Sequence, residues 1–339
     1  MRAVVFDRYG SPDDIRLAEV EIPTPKEGQV LIEVKAASVN PLDWHRLRGH
    51  PAILRLSDGL RRPKNGRLGA DLAGTVVEVG SGVTDLHPGD EVFGASIRTL
   101  SEYAVVSRQR LVEKPDNLTF EEAAAVPVAA ITALQGLRDH GRLQTGQSVL
   151  INGGAGGVGT FAVQIAKALG AEVTAVCSTA NVDLVRSLGA DFVVDYTRED
   201  FTRLGRRFDL LFDGVGNRPL LSCRRVIKPG GTLVVVGARR GKWIAGIDRF
   251  VGAFLISPLV SQRMVGFIAE ERQDDLQYLG ELLSTGVIHP VIDRTFALDE
   301  TAAAIQYLET GHARAKVVVT VPRQSGSTTG DQADTTPAS

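Results

Sequence analysis

Cysteine is scarce in this chain, with only Cys177 and Cys223 among 339 residues. A disulfide framework and a four-thiolate metal site are therefore both out of reach within one chain. Histidine does not fill the gap. Six are present (His45, His50, His87, His140, His289 and His312), and no pair shows metal-ligand spacing. Charge of one sign is missing too. The 38 basic residues nearly balance the 40 acidic ones, so no overall basic field favours nucleic acid or a membrane surface. No apolar run approaches the ~20 residues of a membrane span, and the best candidate, 250–260, is short and carries Pro258. The first residues, Met1-Arg2-Ala3-Val4-Val5-Phe6, enter a strand pattern with no signal-peptide core. These absences predict a cytoplasmic, metal-free protein whose partner is a small molecule, not nucleic acid or membrane.

What is present is glycine in a particular place. Gly153-Gly154-Ala155-Gly156-Gly157-Val158-Gly159 follows the apolar run 148–151 and precedes a helix-patterned segment, 160–169. The spacing Gly154-x-Gly156-x-x-Gly159 between strand and helix is the dinucleotide-binding fingerprint. One glycine permits the tight turn, the next admits a pyrophosphate to the backbone, and the last allows close helix–strand packing. Unpaired N–H groups and the helix dipole then favour phosphate charge.

The texture of the chain divides around this motif. Residues 1–122 read as short β runs (30–34, 75–79, 91–93, 102–106) separated by turn signals such as Pro88-Gly89-Asp90. That predicts a compact, barrel-like antiparallel domain. An alanine-rich helical stretch from 123 to 137 is broken by Pro127. Strands at 148–151, 172–176, 192–194, 209–212 and 232–236 then alternate with helices, which predicts an α/β Rossmann domain with a doubly wound parallel sheet over 123–262. Residues 263–322 carry two helices, 273–283 and 299–308, and a terminal strand, and are expected to return to the first domain. The tail 323–339 has no aliphatic residue larger than alanine and predicts disorder.

Coenzyme choice follows from another absence. In NAD-preferring folds an acid stands about 20 residues past the glycines to hold the ribose hydroxyls. Here that place reads Cys177-Ser178-Thr179-Ala180. Small hydroxyl residues leave room for a 2′-phosphate, so NADPH is the expected cofactor, with Tyr196 and Arg198 near the same pocket. Ser178 and Thr179 also suit a simple helix cap. Val215-Gly216 and Gly237-Ala238, after the fourth and fifth strands, fall on the carboxyl edge where a dinucleotide lies.

The run Gly146-Gln147-x-x-Leu150-x-x-x-Gly154-x-Gly156-Gly157-x-Gly159-x-x-x-x-Gln164-x-x-Lys167 resembles the signature of zeta-crystallin-like quinone oxidoreductases. These form a zinc-independent family of the medium-chain dehydrogenase/reductase superfamily. The resemblance covers residues 1 to about 322. Gly69-Ala70-Asp71-Leu72-Ala73-Gly74 and Pro88-Gly89-Asp90-Glu91-Val92-Phe93-Gly94 look like the family's GroES-like β-barrel domain. Ser38-Val39-Asn40-Pro41-Leu42-Asp43 matches its active-site loop, and 173–178 with 311–316 look most like the reticulon-4-interacting-protein subgroup. Zinc-dependent members carry cysteine where Asn40 stands, His-Glu at Ala70-Asp71 and cysteine near Val128, and none of those ligand types is present here.

The resemblance implies an NADPH-dependent reductase of quinones or α,β-unsaturated carbonyls. Without a metal to polarise a carbonyl, a conjugated acceptor is the easier substrate, because its developing enolate needs only hydrogen-bond donors. It places Asn40, Asp43 and His45 near the reacting centre, with Asn40 a donor, Asp43 an orienting group and His45 a proton source. Asx-turn chemistry around Pro41 accounts equally for Asn40 and Asp43. Thr132 and Lys316 are implied near the nicotinamide, and a homodimer through edge strands of the nucleotide domains is implied as well. Trp44 and Trp243 suit stacking on an acceptor or plain packing. The basic loop 46–67, with seven cations against Asp58, suits either a steering lid or a solvated face. Two further functions stay open: a zinc-free alcohol or carbonyl dehydrogenase, and a non-catalytic NADPH-binding interaction protein.

Overall fold

A computed structural model describes residues 1–50, 52, 54–236 and 247–322. Gly237, Ala238, Trp243 and the tail 323–339 lie outside the described residues. Seven strands come first: β1 (Arg2–Val5), β2 (Arg16–Glu19), β3 (Gln29–Val39), β4 (Asp71–Val79), β5 (Glu91–Ala95), β6 (Tyr103–Ser107) and β7 (Leu111–Glu113). Six follow as a parallel set: β8 (Ser148–Asn152), β9 (Glu172–Cys177), β10 (Phe192–Asp195), β11 (Phe208–Asp213), β12 (Ile227–Val235) and β13 (Arg263–Gly266). Two close the chain, β14 (Ile292–Ala297) and β15 (Lys316–Thr320).

The parallel sheet runs in the order β10-β9-β8-β11-β12-β13. That is the doubly wound order 3-2-1-4-5-6, whose strand order, not direction, reverses between β8 and β11. All five residues of β8 are buried, as a parallel strand covered on both faces requires. Helix Gly157–Ala168 is buried without a break from Gly159 to Ala166, because one side meets the sheet and the other meets helix Pro127–Leu134. Pro127 opens that second helix at a position where its missing N–H costs nothing. A π-helical turn, Gln135–His140, continues it.

The second sheet is mixed, with the order β14-β15-β3-β4-β5-β7 and β6 paired to β3. Its central strand is β3, eleven residues long, which pairs antiparallel with β4, β6 and β15. The last strand among the described residues, β15, therefore sits beside β3. Register places Ser38 opposite Asp71 and Val39 opposite Val317. Among the described residues three apolar cores underlie this domain pair: one shared by the nucleotide sheet with helices 127–134 and 157–168, one on that sheet's other face around Phe201, Phe208 and Leu211, and one inside the mixed sheet.

The expected division at residue 263 is corrected by strand pairing. Arg263–Gly266 hydrogen-bonds in parallel to β12 and forms the sixth strand of the nucleotide sheet. Its four-residue length, adjoining the apolar segment 250–260, hid it from a periodicity reading. Among the described residues no helix is long and apolar enough to cross a membrane.

Candidate active site

A cleft of about 480 Å³ separates the two sheets. Its floor is the glycine turn, and its walls include Asn40, Asn152, Ser178, Tyr196, Val215 and Lys316. The turn is tied to the second strand, since the N–H groups of Gly153 and Gly154 both donate to Val176 O at 3.1 and 3.0 Å. Gly153 has φ +91°, a left-handed conformation that disfavours side chains. A Cβ on Gly159 would collide with the Gly153 carbonyl, and one on Gly154 would meet Ala175 Cβ at 2.9 Å. Packing thus demands glycine at 154 and 159. Gly156, Gly157 and Val158 line the cleft at the N-terminus of a twelve-residue helix, whose first-turn N–H groups have no intrahelical partner. Such an end fits a dinucleotide's diphosphate.

At the switch point Asp213 is fully buried at the end of β11. Its Oδ1 accepts from Asn152 Nδ2 at 2.8 Å and from Gly216 N at 2.9 Å, and its Oδ2 pairs with Arg249. Asn152 also donates to Asn217 Oδ1 at 3.0 Å. Gly216 is therefore held beneath the cleft surface, while Val215 and Asn217 form it.

At the adenosine end, Ser178 and Tyr196 line the cleft and Thr179 does not. Thr179 donates its hydroxyl to Asp195 Oδ2, and Thr197 donates to Asp195 Oδ1 at 2.7 Å. The carboxylate nearest this pocket therefore comes from β10 and is turned onto hydroxyls; the Thr179 hydrogen bond, foremost, holds its pKa below the usual range. Arg198 pairs with the same acid at 3.4 Å and points to solvent. Cys177 also lines the cleft, and burial pushes its thiol up to about 11, so it stays protonated.

The opposite end is built from buried polar side chains. Asn40, Asp71 and Lys316 are each at most 3% exposed. Lys316 Nζ donates to Asn40 Oδ1 at 2.7 Å and to Asp71 Oδ2 at 3.2 Å, and Asn40 Nδ2 donates to Asp71 Oδ2 at 2.8 Å. The Lys316 stem passes close to the turn, its Cδ lying 3.2 Å from where a Gly157 Cβ would begin. Ala315 adopts φ +51° and donates its N–H to Ala155 O at 2.8 Å, clamping β15 to the glycine turn. That strained alanine marks one of the places where the two domains touch.

Besides Thr179 and Gly216, three further expected residues sit off the cleft wall. Asp43 is 1% exposed and lies behind the cleft, with Oδ2 accepting from Asn40 N and Oδ1 from Gly69 N, each at 2.8 Å. It anchors helix Pro41–Arg48 and reaches no reacting group. Burial pushes its carboxyl up to about 6, against the pull of the two backbone donors. His45 is on the same helix, stacked on Trp44 with Nδ1 bonded to His50 O at 2.8 Å, and is not part of the cleft wall. Thr132 donates its hydroxyl to Val128 O at 2.6 Å, one turn back in its own helix, and is also off the wall. Sequence reasoning missed Asn152, Asp213, Asn217 and Asp71. The signal for the first two was a polar residue closing an apolar strand at the carboxyl edge. Among the described residues no group of three or more His, Cys, Asp or Glu could hold a metal ion.

Comparison with known proteins agrees with this architecture. Residues 26–116 match the alcohol dehydrogenase GroES-like domain and 188–319 match the zinc-binding dehydrogenase family. The chain is 36% identical over 334 residues to the chloroplastic NADPH-dependent alkenal/one oxidoreductase of Arabidopsis thaliana, covering 94% of this chain and 79% of the relative. It is 37% identical over 359 residues to the mitochondrial NAD(P)H oxidoreductase RTN4IP1 of Mus musculus, covering 95% and 89%. The quinone oxidoreductase structure from Coxiella burnetii superposes with a TM-score of 0.84 at 33% identity, covering 95% of this chain and 99% of that one. Paired domains, a glycine-floored cleft and these likenesses make the chain a member of the zinc-independent quinone/alkenal oxidoreductase family, related to RTN4IP1-like proteins, within the medium-chain dehydrogenase/reductase superfamily.

Proposed function

We propose that this protein is an NADPH-dependent reductase of quinones and α,β-unsaturated carbonyls. The observation that carries the reading is one cleft joining a phosphate-sized backbone cradle to a buried amide and ammonium pair. When bound, the coenzyme supplies hydride for a conjugated acceptor. The protein's share is to bind, orient and stabilise charge. The first-turn N–H groups at Gly157 and Val158 hold the diphosphate. Ser178 and Tyr196 hold the 2′-phosphate, and among the described residues no acid lines the wall between them. Asn40 and Lys316 face the reacting end, and Lys316 offers a donor to the oxygen on which charge builds.

The proposal includes a homodimer and a cytoplasmic setting. Edge strand β13 adjoins helix Ile247–Ile256, which exposes Phe254 at 77% and Leu255 at 60%, with Leu259 at 82% beyond it. A second copy extending the sheet would cover them. Two buried free cysteines suit a reducing compartment. The test is NADPH oxidation followed at 340 nm with 1,2-naphthoquinone and with an alkyl enone. Turnover of either acceptor is expected, with little reduction of NADP⁺ by simple alcohols. Alcohol oxidation without acceptor reduction, or tight coenzyme binding without turnover, would replace this reading.

A further inference from the structure

Asp71 belongs to no wall of the cleft, yet every polar group at its reacting end leads to it. The carboxylate is wholly buried and takes four donors. Ser38 Oγ donates to Oδ2 at 2.6 Å, Asn40 Nδ2 to Oδ2 at 2.8 Å, Lys316 Nζ to Oδ2 at 3.2 Å and Val128 N to Oδ1 at 2.9 Å. These donors come from β3, the start of helix Pro41–Arg48, β15 and helix Pro127–Leu134. A carboxylate that only balanced one charge would need a single partner.

The arrangement fixes orientation. Asn40 turns its oxygen to Lys316 and its nitrogen to Asp71, and a flipped amide would set donor against donor and acceptor against acceptor. Both N–H groups of the Asn40 amide are thereby used, because its nitrogen also reaches Ser38 O at 3.4 Å. Lys316 is different. An ammonium has three N–H groups, and the two acceptors found among the described residues leave one for the cleft that Lys316 lines.

We propose that Asp71 is the positioning residue of the active site, holding the Lys316 ammonium so that its remaining N–H meets the acceptor's oxygen. This rests on the reductase reading and deepens it: Lys316 is the catalytic donor, and Asp71 acts only through it. Preorganised donors of this kind speed the step because they need not reorient when charge develops.

The test is a double-mutant cycle in kcat on the full-length protein, with NADPH and 1,2-naphthoquinone. Lys316→Met and Asp71→Asn are each expected to lower kcat by about 10²-fold, while affinity for 2′,5′-ADP, which probes only the adenosine end, stays unchanged. The double variant should be no slower than Lys316→Met alone. Additive losses, or an unchanged kcat in Asp71→Asn with only a lowered melting temperature, would reduce Asp71 to a packing role and overturn the proposal. Should Asp71→Asn not fold, Ser38→Ala removes one of the four donors more gently. It should slow the parent several-fold and leave the Lys316→Met background untouched, and equal slowing in both backgrounds overturns the proposal. An inactive parent protein sinks the reductase reading and this role together. An active parent with an additive cycle sinks this role alone.

Discussion

The glycine turn and the acid–lysine cluster adjoin in one cleft, yet they are built from different materials. At the turn, the binding surface is backbone, and its requirements are met by seven consecutive residues, Gly153 to Gly159. At the cluster the surface is the side chains of Asn40 and Lys316, held from behind by groups at positions 38, 71 and 128. Those positions meet only because β3 pairs with β4 on one side and β15 on the other. A one-residue slip in either pairing would turn Ser38 or Lys316 to the opposite face. The backbone end depends on local sterics and the side-chain end on tertiary register.

The sharpest way to break this contrast is at Asp213, where the backbone end rests on a buried acid. Asp213→Asn strips Arg249 of its charge partner, and the Arg249 Nε is already buried without a hydrogen bond. Leaving such a charge uncompensated costs about 3–5 kcal/mol. Urea unfolding should show a loss of that size, even though the remaining amide oxygen still accepts from the Gly216 N–H. A loss below about 1 kcal/mol, the range of exposed pairs, would mean that the pair is solvated.

Next in size comes the turn itself. Gly159→Val drives a side chain into the Gly153 carbonyl, and the neighbouring contacts are backbone atoms that cannot rotate away. Overpacking of this kind costs about 1–3 kcal/mol or more. NADPH affinity, read by fluorescence titration, should fall by about 10²-fold while β3–β4 pairing in the other domain survives. Retained affinity would show that the turn tolerates a shift and that its sterics are not what selects glycine.

This contrast also accounts for what could be read in advance. The fingerprint is contiguous, and β8 and β9 announce themselves as largely apolar runs, so the nucleotide sheet and its turn were legible. Hydroxyls without an acid at 178–179 were legible as well, because spacing from the glycines is fixed by one βαβ unit. Asp71 was not. It stood inside a recognisable barrel motif, Gly69-Ala70-Asp71, and nothing local distinguishes a strand-start acid facing solvent from one taking four buried donors. Asp43 and His45 misled for the same reason. Their sequence position beside Asn40 is right, but a helix starting at Pro41 turns successive side chains by about 100°, which sends Asp43 behind the cleft and His45 against Trp44 and His50.

Asp43 offers a subtler test. Its folded pKa is raised from 3.8 to about 6, chiefly by burial. The folded state therefore binds the proton more tightly than the unfolded chain, so this group's contribution is fullest below pH 3.8. It is lost as pH climbs through about 6. That displacement corresponds to on the order of 3 kcal/mol. Asp43→Asn abolishes the titration, so the stability of the parent relative to the variant should decline between pH 4 and 6 and level off above. A difference that is flat across that window would show Asp43 ionised in both states with an ordinary pKa.

The smallest effect bears on the adenosine end, where a side chain does decide something. Ser178 lines the cleft, whereas the Asp195 charge is already occupied by the Thr179 and Thr197 hydroxyls and by Arg198. A new carboxylate at 178 would face the 2′-phosphate directly and accept from free ribose hydroxyls instead. Ser178→Asp should therefore lower the NADPH-to-NADH ratio of kcat/KM by about tenfold, roughly 1.4 kcal/mol. Asp195→Asn should move the ratio much less, because the acid it removes is turned away from the pocket. If the two variants shift the ratio equally, what counts is total charge near the pocket and not its position on the wall. The coenzyme preference would then be a field effect of the whole β9–β10 edge, with Ser178 contributing only room.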